Sequence, residues 1–298
     1  MSETDWIKRH IAPLVKAPGA DALRDDVAQL SAIGTMIATM DTIVEGTHFL
    51  SSDPLSTVGQ KVVRVNVSDI HAKGAKPVEA LLSIAWPKGR GELEFSTLIG
   101  GLRQDLEAFE IDLIGGDLVG TDGPLSLTMT LTGHCLGDAP IRRSGGRAGQ
   151  ALFINGEIGW GGLGLRAAKD NSAPEKAHRY QVPAISSLMA AQAVVDHATA
   201  SMDVSDGLLL DAARLAEGSN CGLTLELDRV PLAEDTEIIE EIIEQCVAGD
   251  DYLILISADP SAEISGFTRI GSLSATAGMR LTFHDTPVNT PSTLGFEH

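Results

Sequence analysis

A set of acidic residues is distinguished by its neighbours: Asp25-Asp26, Asp41 in TMDT, Asp69 in NVSDI, Asp117 in IGGDL, and Asp203 with Asp206 in MDVSDGL. Several lie beside Gly, Ser or Thr, where strands are expected to end or helices to begin. A carboxylate bounding an apolar strand cannot enter the core unpaired, so it must reach solvent, a helix cap, a cation or a metal. Taken singly, each has another reading. Asp25-Asp26 and Asp117 fit turns, and Ser205 or Asp206 fits a helix N-cap. Asp69, between Val67 and Ile70, fits a turn less well. The recurrence points to a shared role, because hard cations such as Mg²⁺ take carboxylate oxygens and phosphates complete their shell.

Other chemistries find less support. There is no GxxxxGK[ST] phosphate loop and no GxSxG nucleophile elbow. A literal GxGxxG occurs at Gly159, Gly161 and Gly164, but the acidic residue that a dinucleotide site needs about 20 residues on is missing, so a plain glycine-rich turn is expected. His48 in EGTHF is the histidine singled out, while His71 and His134 read as structural. Arg142-Arg143 is either a solvated linker pair or a guanidinium fork for phosphate.

The chain around these residues has 298 positions, with 41 Asp+Glu against 22 Lys+Arg and a net charge of -19. That balance excludes recognition of nucleic acid through a basic surface and disfavours an anionic membrane. An anionic substrate would then need a bound cation to accompany it. Three scattered cysteines, Cys135, Cys221 and Cys246, give neither a disulfide framework nor a zinc site. A polar start (MSETDWIKRH) and no membrane-length apolar run lead us to expect a soluble, cytoplasmic protein.

The elements that must position the acidic residues alternate between strand and helix. A short Pro-containing helix is expected over 6–17, a loop over 18–26, a buried strand over 35–44 and a helix over 59–75, where strand periodicity competes. Then come strand 79–86, helix 93–109, a short strand 111–114 running into Gly115-Gly116-Asp117, and strand 125–135. The Gly- and Arg-rich segment 137–149 marks a boundary, giving domains 1–138 and 139–298. The second half reads as strand 151–155, helix 163–169, a polar loop, helix 183–196, strand 201–204, helix 208–217, strand 223–227, helix 236–245, strand 252–257 and two more strands. Two α/β or α+β domains follow, with mixed sheets and flanking helices.

The segments DDVAQL, TMDTIVEGTHF, NVSDIHAKGAKP, IGGD, RSGGRAG, MDVSDGL and AGDDY occur in an order and spacing that resemble the thiamine-monophosphate kinase family. Part of the pattern is shared with the wider aminoimidazole ribonucleotide synthetase-like superfamily. The resemblance implies a two-domain subunit that dimerises through its N-terminal domains, where ATP and Mg²⁺ also bind, with the active site in a cleft completed by the C-terminal domain. The implied reaction moves the γ-phosphoryl of ATP directly onto thiamine monophosphate. By motif, Asp26, Thr39, Met40 (through its backbone), Asp41, Asp69, Asp117, Asp203 and Asp206 resemble ligands of several Mg²⁺ ions. Gly116, Asp117, Arg143 and Ser205 resemble ATP contacts, and His48, Asp250 and Phe296 resemble contacts to thiamine monophosphate. No side chain is implied as acid, base or nucleophile; positioning and metal electrostatics carry the chemistry.

The chain departs from the family pattern at Arg24 (usually Gly), at Met40 (usually a hydroxyl residue), around His178–Pro183, and in AGDDYLI, where Asp250 replaces Glu and Leu253 removes a second carboxylate. A sister ATP-dependent enzyme and a catalytically silent nucleotide- or metal-binding relative are the competing readings.

Overall fold

The computed structural model describes residues 6–17, 30 and 34–296, so Arg24, Asp25, Asp26 and the expected 18–26 loop lie outside the described residues. The chain divides into two compact units, Met1–Ile70 with Lys76–Cys135, and His71–Ala75 with Leu136–His298. Mixed α/β units with flanking helices are what the sequence implies.

In the first unit a four-stranded sheet has the order β1-β4-β2-β3, formed by β1 (Met36–Val44), β2 (Ala75–Pro87), β3 (Asp112–Thr121) and β4 (Ser126–Cys135). Two helices, α1 (Leu55–Ala72) and α2 (Glu92–Ala108), supply its apolar cover. They meet where no side chain fits: a Cβ on Gly59 would lie 2.2 Å from the Leu98 carbonyl, and one on Gly101 1.8 Å from that of Ser56. Val62, Val63, Val65, Val67 and Ile70 are all buried. A helix enclosed on most sides carries apolar residues at every spacing, which explains the competing strand periodicity there.

Three expectations in this unit need correction. Strand β1 is not buried on both faces: Ile43 points inward while Ala38, Met40 and Thr42 are exposed. Strand β3 does not stop before Gly115 but runs through Gly115-Gly116-Asp117 to Thr121. Its parallel pairing with β2 continues after a register shift between Ala80 and Leu81, and a Cβ on Gly116 would lie 1.9 Å from the Leu82 carbonyl, so glycine permits the close pairing. The N-terminal segment is a π turn (Ile7–Ile11) and a 3₁₀ turn (Ala12–Leu14) rather than one helix.

The second unit holds a seven-stranded mixed sheet in the order β11-β10-β7-β9-β5-β8-β6. Its strands are β5 (Ala151–Ile154), β6 (Ala200–Val204), β7 (Gly222–Glu226), β8 (Leu253–Ala258), β9 (Thr268–Ser274), β10 (Met279–Phe283) and β11 (Thr286–Val288). The helices are α3 (Trp160–Asp170), α4 (Pro174–Gln181), α5 (Leu188–His197), α6 (Leu208–Gly218) and α7 (Ile239–Val247). Strand β8 is buried throughout: Leu253 and Leu255 join the core with α6 and α7, while Ile254 and Ile256 join Val194 of α5 in a second cluster. A continuous apolar run is what a strand covered on both faces requires. The segment expected as a polar loop forms α4, which packs against Gly164, and the helix expected from Pro183 begins at Leu188. Three strands, not two, close the chain.

Candidate functional site

In the first unit, α1 presents Val62, Asn66 and Asp69, spaced i, i+4 and i+7, on one stripe. Buried Asn66 accepts the Asp41 N–H through Oδ1 at 3.2 Å and donates Nδ2 to the Val62 carbonyl at 2.9 Å. Asp69 accepts the Thr39 hydroxyl. Thr39, Asp41 and Asp69 are thus gathered on the helix-covered side of β1. The Met40 side chain, 64% exposed, points the other way, which leaves only its main chain for a ligand role. Asp117 is exposed in mid-strand, level with Ser83 and alternating with buried Leu118. The structure therefore does not bring the Asp117 side chain beside Asp69.

His48 closes the turn after β1. Its Nδ1 accepts the Val44 N–H at 3.1 Å, which places the ring proton of the neutral form on Nε2. Its carbonyl accepts from Nζ of Lys61 at 2.9 Å, and Lys61 is almost fully buried.

In the second unit, β6 ends in Val204 and the chain turns through Ser205-Asp206-Gly207 into α6. Fully buried Asp211 accepts the Ser205 N–H at 3.1 Å and the Asp206 N–H at 2.9 Å through one oxygen. Its other oxygen accepts Nη1 of Arg214 at 3.0 Å, and the same nitrogen pairs with the Asp206 carboxylate. Burial, helped by the Asp206 charge, pushes the Asp211 carboxyl above its ordinary value despite the N–H donors and Arg214.

Two further segments tie onto this loop. The amide of Asp250 donates to the Ser205 carbonyl at 2.8 Å, and that of Tyr252 to Val204 at 2.7 Å. The amide of Phe296 donates to the Asp206 carbonyl at 2.8 Å. Asp250 and Tyr252 both adopt left-handed backbone (φ 69° and 53°), a strained conformation for side chains of this kind, and the tyrosine hydroxyl donates to the Asp250 carboxylate at 2.7 Å. Ser205, Asp206, Asp250 and Phe296 are therefore brought together, with Asp203 buried one residue before the end of β6. Arg143 is exposed in the segment before β5.

Beside this loop a cavity of about 370 Å³ is lined by Glu157, Trp160, Arg179, Ser186, Asp250 and Asp251, among others. The buried Asp251 carboxylate accepts the amides of Gly159 and Gly161 at the start of α3, at 2.9 and 3.0 Å. Burial pushes its pKa up to about 7, against the pull of those amides, and the neighbouring Asp250 charge adds to the rise. Gly159 and Gly161 serve backbone packing rather than a dinucleotide: a Cβ on Gly161 would lie 2.0 Å from the Gly249 carbonyl.

The donors are hard oxygens, which suits Mg²⁺, but among the described residues no three His, Cys, Asp or Glu side chains lie close enough to hold a metal ion by themselves. One or two carboxylates completed by phosphate oxygens is how Mg²⁺ is commonly held with a nucleotide.

Fold and site together place the chain in the class defined by two family models, which match at residues 24–136 (AIR synthase related protein, N-terminal domain) and 147–269 (AIR synthase related protein, C-terminal domain). A thiamine-monophosphate kinase of Caulobacter vibrioides is 35% identical over 100% of this chain and 91% of its own length. The chain belongs to the thiamine-monophosphate kinase family. The structure of such a kinase from Aquifex aeolicus superposes with a TM-score of 0.77 at 25% identity, over 86% of this chain and 89% of the other. A structure described as AaThiL complexed with AMPPCP and TMP shares the fold, with a TM-score of 0.79 at 24% identity over 92% of this chain and 93% of the other.

Asp211, Arg214, Lys61 and Asp251 escape the sequence reading. The signal for Asp211 is present in DGLLLDAARLA: an acid on the stripe of Leu208, Ala212 and Leu215 is on the buried side of its helix and needs partners there. Lys61 has the same signature among the valines of α1. No helix of the described residues is long and apolar enough to cross a membrane.

Proposed function

We propose that the chain catalyses the ATP- and Mg²⁺-dependent phosphorylation of thiamine monophosphate to thiamine diphosphate, by direct transfer of the γ-phosphoryl group to the substrate phosphate. The observation that carries this is the pair of hydrogen bonds that fasten Asp250 and Phe296, the acceptor positions, onto Ser205 and Asp206, the nucleotide and metal positions. Relatives with the same name over the full chain support it, and the complex of AaThiL with AMPPCP and TMP supports both substrates.

Both reactants are polyanions, so the protein's work is to position them and offset their charge. Asp41 and Asp69, with Thr39 and the Met40 carbonyl, would hold metal in the first unit, Asp203 and Asp206 in the second, with Asp117 and Asp26 as further ligands. Bound Mg²⁺ supplies neutralisation of phosphate charge. Gly116, Arg143 and Ser205 contact ATP in this reading. The Ser205-Asp206 backbone is held by Asp211, so its groups need little reorganisation when phosphate arrives. His48, Asp250 and Phe296 hold the acceptor, and no side chain is assigned as acid, base or nucleophile.

The first unit is proposed as the ATP/Mg²⁺ and dimerisation domain and the second as the domain that completes the active site, in a cytoplasmic homodimer. The uncovered face of the four-stranded sheet supports dimerisation: Met40, Leu81 and Val119 are 64%, 41% and 44% exposed there. Sedimentation of the full chain should give twice the monomer mass, and Met40→Lys should shift it toward monomer. The test of function is direct. Purified protein with Mg²⁺, ATP and thiamine monophosphate should form thiamine diphosphate and ADP in equal amounts. Tight ATP binding without product would instead establish a catalytically silent relative.

A further inference from the structure

Asp251 is a buried carboxylate for which no salt bridge with a Lys or Arg is found among the described residues. Its two oxygens are taken up by main-chain amides at the start of α3, Oδ2 by Gly159 and Oδ1 by Gly161. That turn carries Trp160, whose indole forms part of the cavity wall, donates Nε1–H to Glu157 at 2.9 Å and lies 4.9 Å from the Arg179 guanidinium. On its other side in sequence Asp251 follows Asp250, which lines the same cavity. The turn and the loop are in direct backbone apposition, as the room for only hydrogen at Gly161 requires. We propose that Asp251 is a positioning residue for the phosphate acceptor, clamping the Trp160 turn to the Asp250 loop and so fixing the width of the cavity that receives the acceptor's ring. The inference rests on the function proposed above.

The cavity's chemistry fits such an occupant. Glu157, Asp250 and Asp251 outnumber Arg179, and an indole beside carboxylates suits a flat, cationic heteroaromatic ring. A spacer with no role beyond packing would not need a buried ionisable carboxyl, which is costly to charge without a counter-ion. As a carboxylate Asp251 accepts these amides, but burial without a counter-ion outweighs them and favours the protonated form. Because the clamped, buried arrangement binds the proton more tightly than an open one, the clamp loosens as pH rises through about 7, the value to which burial pushes this carboxyl. The groups that share its surroundings are Asp250 and Tyr252 on its own loop, Cys246 on α7, and Glu157 and Arg179 lining the cavity.

The test compares wild type with Asp251→Asn and Asp251→Ser, using thiamine monophosphate and Mg²⁺·ATP as the two varied substrates. Losing a buried hydrogen bond to the turn should raise the acceptor KM about tenfold or more, with the KM for ATP unmoved and kcat at saturating acceptor changed far less. The acceptor KM of wild type should rise relative to that of Asp251→Asn between pH 6 and 8, the acceptor's own phosphate titration being common to both. An unchanged acceptor KM, or equal rises for both substrates, would overturn the clamp. Calorimetric titration of thiamine monophosphate reads the same affinity without turnover. If wild type binds thiamine monophosphate but makes no product, the kinase reading fails while the clamp is still judged by the ratio of the Kd values.

Discussion

The main-chain amide of Phe296 donates to the carbonyl of Asp206 across 2.8 Å, and the preceding Gly295 comes so close that a Cβ there would lie 2.4 Å from the same oxygen. The end of the described chain is thereby fastened to the loop proposed to meet metal and ATP. The Phe296 ring is 50% exposed, so it contributes little to the core. Phe296→Ala should therefore leave the melting temperature within about 2 °C of wild type, as surface changes of this kind are worth about 0.5 kcal/mol. It should still raise the KM for thiamine monophosphate about threefold to tenfold, as loss of an aromatic contact of about 1 kcal/mol predicts. Steady-state kinetics beside a thermal melt separates the two effects; a lower melting temperature with unchanged KM would assign the ring to stability instead.

Asp211 carries a different burden, because it orients Ser205 and Asp206 through their amides while sharing Arg214 with the Asp206 side chain. Asp211→Ala leaves two N–H groups and a guanidinium without that partner, and breaking a buried pair in this way costs about 3–5 kcal/mol. The expected result is a large drop in melting temperature. Asp211→Asn keeps the shape and one acceptor oxygen, so it should fold and yet need more Mg²⁺ for half-maximal activity. An unshifted Mg²⁺ titration for the folded Asn variant would contradict the orienting role.

Asp69→Asn isolates charge from structure at the other metal position. The Asn carbonyl can still accept the Thr39 hydroxyl, so the fold should persist, seen as a far-UV spectrum and melting temperature close to wild type. Activity should fall by about 100-fold or more, consistent with loss of several kcal/mol of charge stabilisation. Near-normal rates at low Mg²⁺ would remove Asp69 from the metal-holding set.

Part of the fold is legible in the sequence and part depends on tertiary partners. The α1 stripe is legible, because Val62, Val65 and Asp69 repeat at helical spacing whatever else surrounds them. Strand β6 with the MDVSDGL turn is legible for a different reason, an apolar run that ends abruptly in Asp, Ser and Gly, and β8 is legible as a continuous apolar run. The course of β3 is not, since Gly115-Gly116 is a turn signal in isolation and becomes strand only because the β2 backbone passes too near for side chains. The same blindness to tertiary partners misplaces several carboxylates. Asp41, Asp69 and Asp117 lie inside their elements rather than at the ends, and only Asp203 and Asp206 stand where strand gives way to helix. Asp251 hides in a cluster of acids, distinguished from Asp250 only by the amides that approach it in three dimensions.

A stability prediction follows from Arg64 and Asp105, which bridge α1 and α2. Asp105 is 1% exposed and accepts Nε of Arg64 at 2.5 Å and Nε2 of Gln60 at 3.2 Å. Asp105→Ala strands a guanidinium and an amide in the interface and should lower stability by about 3–5 kcal/mol. Replacing both partners, Arg64→Met with Asp105→Leu, removes the uncompensated charge and should recover most of that loss. Urea melts of the single and double variants decide between a charge effect and a packing effect: failure of the double variant to recover would point to packing.

The raised carboxyl of Asp251 predicts an unusual pH dependence of stability. In the unfolded chain the group titrates at 3.8, and in the folded protein at about 7. Between those values the folded state binds the proton and the unfolded state does not, so this group stabilises fully below about 3.8 and loses its contribution as pH rises to about 7. Most carboxylates held by cations act in the opposite sense. Asp251→Asn has no proton to lose, so it keeps a neutral side chain at every pH. The melting temperature of wild type relative to the variant should therefore fall by several degrees between pH 4 and pH 8, since a pKa difference of one unit is worth 1.36 kcal/mol. Melts of both proteins across that range in one buffer series provide the check, and parallel curves would show that Asp251 keeps an ordinary pKa in the folded protein.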